Sequence, residues 1–335
     1  MLINRRSLLR GGAAATLVAP LARASGSTRP PQARVVASGL AFPEGLFTIS
    51  DGTLGCVEIA AGTLLHLDAH GRLIQRIQVG AGPNGAAIGP DGAIYIANDG
   101  GLSFDQSTGS YRITGVPDSY VSGSIQRVNT RTGTVTTLYD RVGADLLKGP
   151  NDLLFADDVG FWFSDTGKYR NGVQDSGGLY WAAIDGSEIR KAAFPLSTPN
   201  GIALSPDRTT LYVALSNTRQ ILAYRLRGPG QLEPGSPRVL CTLPGTFILD
   251  NIAVEAGGNI VVATVLGGGI LTIDTAGNTL TFHALPDIAA TALAFGGPGH
   301  RTLFITLSTT GRIMAIPWPR PGLPSLFCAR IPPPR

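Results

Sequence analysis

The chain has 335 residues, 43% of them hydrophobic and 15% charged, a balance that excludes disorder and suits one large all-β domain. Gly (44) and Pro (24) are abundant without a collagen period, which points to many tight turns. The formal charge of +4 comes from Arg5, Arg6, Arg10 and Arg23, and the remainder carries 23 basic and 23 acidic residues, so no footprint for nucleic acid is left.

Residues 1–24 read as an address. Arg5-Arg6 precedes an apolar stretch from Gly11 to Ala22, and Ala22-Arg23-Ala24 fits an A-x-A cleavage site. The order resembles a twin-arginine export signal, and it predicts a periplasmic or secreted protein cleaved near Ala24. The apolar stretch is too short to span a bilayer about 30 Å thick, and no later segment is long enough. Residues 25–335 are expected to form one domain. Its three cysteines (Cys56, Cys241, Cys328) have no C-x-x-C spacing, so at most one disulfide forms, and buried thiols in strands are the simpler expectation.

From Pro43 onward one phrase recurs: a polar residue, a short apolar run, a tight turn and a second apolar run. Its openings are Pro43-Glu44-Gly45, Pro83-Asn84-Gly85, Pro150-Asn151-Asp152, Pro199-Asn200-Gly201, Leu249-Asp250-Asn251 and Ala290-Thr291-Ala292. The spacings are 40, 67, 49, 50 and 41 residues. Turns such as Pro90-Asp91-Gly92 and Pro206-Asp207 join the two runs, a hairpin signal. A third and usually a fourth apolar run follow, for example Ile125 to Val128 and Ile221 to Leu226. Four strands per 40–50 residues define a β-propeller blade. The prediction is an all-β, six-bladed propeller with four antiparallel strands per blade. The last repeat ends one strand short near Ile316-Pro317, so Arg34 to Ser38 is expected to close the ring.

In a propeller the first strand of each blade lines the central channel. Glu44, Asn84, Asn151, Asn200, Asp250 and Thr291 should therefore converge on one axis. The ends of second strands (Asn98-Asp99, Ser164-Asp165, Ser216-Asn217) should surround them, with Asn84 and Asn98 as candidate substrate contacts. Carboxylates and carboxamides are hard oxygen ligands, suited to calcium and then to magnesium or manganese. Zinc stays a less favoured alternative, because no His opens a repeat. Asn and Asp also occur in turns for backbone reasons alone, but a Glu at position 44 is no turn preference.

Phe42-Pro43-Glu44-Gly45, Thr198-Pro199-Asn200-Gly201-Ile202-Ala203-Leu204-Ser205-Pro206-Asp207 and Leu211-Tyr212-Val213-Ala214 resemble the regucalcin/gluconolactonase/luciferin-regenerating-enzyme family of six-bladed propellers. The resemblance covers residues 33–317. It implies a catalytic divalent metal held by Glu44, Asn200 and Asp250, with Asn151. Asp250-Asn251-Ile252 is similar to the more distant paraoxonases, which makes Asn251 a further candidate ligand. Phe161-Trp162-Phe163-Ser164-Asp165 resembles a strand of calcium-dependent lactonases whose terminal Asp is an acid/base group.

The implied chemistry is hydrolysis of a lactone or related carboxylic ester. The metal stabilises the oxyanion and a carboxylate activates water. Asp165 is the expected general base, with Asp99 as the alternative. No G-x-S-x-G, H-E-x-x-H or P-loop competes.

The second repeat is longer than its neighbours between Gly100 and Gly123, which suggests a lid or pocket wall. Its Phe104, Tyr111 and Tyr120 point to a partly apolar small-molecule substrate. The segment Thr166 to Gly177 brings Lys168, Tyr169 and Arg170 to the same face as substrate contacts. No obligate protein partner is indicated. Two other readings stay open: another reaction at the same metal (hydration, isomerisation or condensation, as strictosidine-synthase relatives show), or an exported binding propeller.

Overall fold

Each repeat folds into one antiparallel sheet whose strands run in chain order from channel to rim. The computed structural model describes residues 33–328, so the expected leader at 1–24 lies outside the described residues. The innermost strands of blades 1 to 6 are Pro43–Thr48, Pro83–Ile88, Pro150–Phe155, Pro199–Leu204, Ile248–Val254 and Ala290–Gly296. Each packs against the next, and the sixth packs against the first, so the ring is closed. The sixth blade is completed by Arg34–Ser38, which pairs antiparallel with Arg312–Pro317 as the outermost strand. The only helical element among the described residues is a 3-10 turn, Pro298–His300, and no helix there is long and apolar enough to cross a membrane.

The near-continuous apolar runs of the sequence follow from this stacking. A middle strand has a neighbouring blade on each face, so Leu54–Glu58, Ile94–Asn98 and Gly160–Asp165 are buried at every position. The core is a set of seams between blades. Trp162 and Trp181 of blade 3 meet Leu211 and Val213 of blade 4, and Leu46 and Cys56 of blade 1 meet Ala292 and Phe304 of blade 6. Outer strands face water and lose the pattern, as in Leu73–Gln78 and Thr279–Ala284. All three cysteines are free; Cys56 is buried, while Cys241 and Cys328 are only half-buried, less than the sequence suggested.

Every innermost strand carries a register shift at its opening phrase: between Glu44 and Phe47, Pro83 and Gly85, Pro150 and Leu153, Pro199 and Ile202, Leu249 and Ile252, Ala290 and Leu293. A bulge re-aims side chains and ends regular pairing, so the polar residue of each phrase turns toward the channel mouth. In three phrases a Gly follows (Gly45, Gly85, Gly201) and lets adjacent blades approach. A Cβ on Gly85 would lie 2.3 Å from the Asn151 carbonyl oxygen, and one on Gly201 would lie 2.5 Å from the Asp250 carbonyl oxygen. Gly85→Ala must push two inner strands apart, an overpacking cost of about 1–3 kcal/mol. Gly257, where an added Cβ meets nothing within 4 Å, should tolerate Ala with little loss. Urea midpoints of the two variants check this contrast.

The segment after the last strand, on which the sequence was silent, seals the opposite end of the channel. Glu255 is fully buried and accepts hydrogen bonds from Trp318 Nε1 (2.8 Å), Asn259 Nδ2 (2.9 Å) and the Arg320 guanidinium. These bonds hold its carboxyl below the usual range against the upward push of burial, the largest influence on it. The anchored tail then lays Leu323, Leu326 and Phe327 across the far ends of the inner strands, over a cavity of about 240 Å³.

Candidate active site

The opposite mouth opens into a chamber of about 520 Å³. All six repeat-opening residues line it: Glu44, Asn84, Asn151, Asn200, Asp250 and Thr291. Glu44, Asn84, Asn200 and Thr291 are buried, while Asp250 and Asn151 are part-exposed to the chamber. Glu44 accepts the Gly45 N–H at 3.3 Å and a hydrogen bond from Thr291. The Thr291 hydroxyl in turn contacts Thr306 Oγ1 at 2.8 Å and Ser308 Oγ.

Burial, then Asp250, pushes the Glu44 carboxyl well above its ordinary range, and Asp152 adds to the shift. Burial, then Asp152, also pushes Asp250 up, against a hydrogen bond from Asn200. Asp152 itself is raised to about 7 by burial. No Lys or Arg is among the groups that act on these three carboxyls. The Asn200 side-chain carbonyl oxygen is buried and has no hydrogen-bond partner, a rare condition that calls for an explanation. Among the described residues no group of three or more His, Cys, Asp or Glu is poised to hold a metal. The set here is instead two carboxylates and amide carbonyls. An uncompensated acidic pair beside an orphaned carbonyl fits a hard cation.

The two candidate bases differ sharply. Asp99 lines the chamber. Its Oδ1 accepts the Gly101 N–H at 2.7 Å and lies 3.1 Å from Lys168 Nζ; its Oδ2 accepts the Asn84 amide at 3.3 Å. Lys168, only 5% exposed, also donates to the Gly101 carbonyl at 3.0 Å. Asp165 does not line the chamber. Its carboxylate accepts the backbone N–H groups of Lys148 (2.8 Å), Gly149 (2.7 Å) and Gly167 (2.9 Å). It ties two loops together, and burial, despite these bonds, raises its carboxyl. Of the two carboxylates it is thus Asp99, the expected alternative, that faces the chamber, while Asp165 is turned into the loops.

Other expected contacts are redistributed. Asn251 does not face the chamber: its amide donates to Asp152 Oδ2 at 2.9 Å and its carbonyl accepts the Leu293 N–H at 3.1 Å. With Asp152 also accepting the Ile202 N–H at 2.9 Å, this chain of bonds links blades 3 to 6 around the channel. Asn98 turns to Gln126 (3.2 Å) and the Gly100 N–H (2.9 Å). The 100–123 insertion does form a wall, a hairpin of Ser103–Asp105 and Arg112–Gly115. Its three aromatics brace it from behind. Phe104 packs on Phe42 with ring centroids 4.9 Å apart, and Tyr111 bonds blade 6 through its N–H to Thr309 O at 2.8 Å. The Tyr120 hydroxyl donates to Lys148 O at 2.6 Å. Arg170 stacks over the Tyr120 ring at 4.9 Å rather than entering the chamber, whereas Tyr169 lines it. Sequence reading missed Asp152, whose only signal was a carboxylate where three of its five sister phrases have Gly. It also missed Leu102, Ile113 and Thr114, which line the chamber from the insertion together with Val116.

A closed six-bladed propeller with paired carboxylates and carboxamides at one channel mouth defines the class of protein. Residues 42–309 match the SMP-30/Gluconolactonase/LRE-like region family, and the chain belongs to that family. A gluconolactonase of Zymomonas mobilis is 26% identical over 245 residues, 68% of this chain and 61% of the relative. The match thus spans under two thirds of that relative's length. A 6-deoxy-6-sulfogluconolactonase of Pseudomonas putida is 26% identical over 250 residues, 63% of this chain and 84% of that protein. The solved structure of a calcium-binding protein, regucalcin, from Agrobacterium tumefaciens shares the fold, with a TM-score of 0.68 at 21% identity over 91% of this chain and 97% of that one.

Proposed function

We propose that this protein is a metal-dependent hydrolase that opens a lactone or cleaves a related carboxylic ester at the channel mouth. The observation that carries the reading is the convergence of Glu44, Asp250 and the unpartnered Asn200 carbonyl beside the buried Asp99–Lys168 pair. The lactonase names of the two relatives support the substrate class, and the calcium-binding neighbour supports a divalent cation. Glu44, Asn151, Asn200 and Asp250 would hold the ion, with calcium suited best to such oxygen donors and magnesium, manganese or zinc as alternatives. A cation there polarises a carbonyl oxygen and stabilises the charge that develops on it.

The chain's own residues do the rest. Asp99 takes a proton from a water molecule as the water oxygen bonds to the carbonyl carbon. Lys168 and the Gly101 N–H hold the carboxylate of Asp99 in place through its Oδ1, and Asn84 orients Oδ2. Collapse of the tetrahedral species breaks the ring C–O bond, and the departing oxygen receives the proton that Asp99 took from water, leaving a hydroxy acid and the Asp99 carboxylate restored. Proton release by a pH-stat over a panel of lactones and simple esters tests the reading. Turnover of at least one lactone is expected; turnover of none would contradict it.

The reading includes export. Replacing Arg5 and Arg6 with Lys is expected to leave the precursor in the cytoplasm, because the twin-arginine route reads the pair and not only its charge. Cell fractionation checks this, and full-length, uncleaved wild-type protein in the cytoplasm would contradict it.

A further inference from the structure

The chamber is divided into two unlike halves. Blades 2, 3 and 4 supply Asn84, Asp99, Lys168, Asn200 and Asn217, all able to form hydrogen bonds. Blades 5, 6 and 1 and the insertion contribute the repeat-opening Glu44, Asp250 and Thr291 at the axis and Thr114 in the wall, and are otherwise apolar, with Val265, Ala289, Phe42, Ile59, Ile113 and Val116. The insertion leaves blade 2 but is tied to blades 1 and 6, through Phe104 on Phe42 and the Tyr111 N–H on Thr309 O. Its apolar side chains are thereby delivered to the apolar half.

The rim over that half is also apolar and exposed. Ile113 is 48% exposed. Leu266 and Ile288, beside the lining residues Val265 and Ala289, are 63% and 58% exposed, and their backbones are joined by a Leu266 N–H to Ile288 O bond of 2.7 Å. Leu266 is held at φ 65°, a left-handed conformation that bulky residues avoid unless the surroundings enforce it. An exposed bulky apolar side chain kept in such a conformation at a chamber mouth is positioned for contact, not for packing within a blade.

From this division we infer that the substrate is a cyclic ester carrying an alkyl or aryl substituent, not a bare polyhydroxylated sugar lactone. The inference rests on the lactone-hydrolase reading for its reacting group. The ester carbonyl sits at the channel axis, its ring oxygens turn toward blades 2 to 4, and the substituent lies under the insertion against Ile113 and Val116. A lining of this kind is how a pocket selects for apolar bulk, since each buried methylene is worth about fourfold in affinity.

The test compares kcat/KM of the full-length chain, with calcium present, for δ-decalactone, which carries a pentyl chain, and for D-glucono-1,5-lactone. The expected preference for the pentyl lactone is about tenfold or more, from partial burial of its methylenes. Ile113→Ser and Val116→Ser should each reduce kcat/KM for the pentyl lactone, through KM, several-fold more than for the sugar lactone. Preference for the sugar lactone, or a pentyl rate indifferent to both variants, overturns the inference and leaves the hydrolase reading standing. Should neither these two nor any other member of the lactone and ester panel open, the hydrolase reading falls, and calorimetry with the corresponding non-hydrolysed lactams decides the inference alone. Tighter binding of the pentyl lactam, weakened by Ile113→Ser, upholds it; equal or weaker binding overturns it.

Discussion

Asp99→Asn is expected to lower kcat for lactone opening by about 10²- to 10⁴-fold, the usual loss when a general base is removed. Asn keeps the shape and leaves one oxygen for Lys168 and the Gly101 N–H, so metal binding should persist, although the buried Lys168 loses its counter-charge and some stability goes with it. Asp165→Asn should behave in the opposite way. Its carboxylate accepts three backbone N–H groups at 2.7–2.9 Å, and an amide cannot satisfy all three. A buried donor left unpaired costs about 1–3 kcal/mol, so this variant should lose urea resistance while keeping much of its kcat. Steady-state kinetics and urea melts on the two variants separate these roles. A collapse of kcat in Asp165→Asn at unchanged stability, with Asp99→Asn active, would return the base to blade 3.

Glu44→Gln is expected to abolish calcium-dependent stabilisation. A ligand that binds only the folded state stabilises it by about 2.7 kcal/mol at a hundredfold excess over Kd, and the wild type should show a shift of that order. Gln removes one of two charged ligands at nearly constant shape. Without metal the sign changes: Glu44 lies close to Asp250 and Asp152, which oppose its ionisation, so the metal-free variant should be at least as stable as metal-free wild type. Thermal melts with and without calcium, alongside calorimetric titration, check both halves. Calcium binding by Glu44→Gln as tight as by wild type would place the ion elsewhere.

The ring was legible because blade formation is local. Each phrase sets its own hairpin, and the apolar runs of middle strands follow from burial on both faces. Closure by Arg34–Ser38 was legible from a missing strand. The convergence of Glu44, Asn84, Asn151, Asn200, Asp250 and Thr291 followed from the same periodicity, since equivalent positions of equivalent blades must meet at the axis. What depended on loops was not legible. Asp99 and Asp165 end equivalent strands, and only the loop backbones decide that Asp165 is consumed by N–H donors while Asp99 stays open to the chamber. Asn251 occupies the Gly position of its phrase, where its amide serves the bonds between blades. The aromatics of the insertion were conspicuous by type, yet a hairpin has two faces, and it is Ile113 and Val116 that turn inward.

The central claim is that the cation and the chamber act together in one hydrolysis. Its most direct test is the rate of lactone opening by wild-type protein after chelator treatment and after stepwise return of calcium, followed by pH-stat. Loss of turnover on chelation and recovery that saturates with a single bound ion per chain is the predicted result. Turnover that is undiminished after the metal has been removed, verified by elemental analysis, would contradict it.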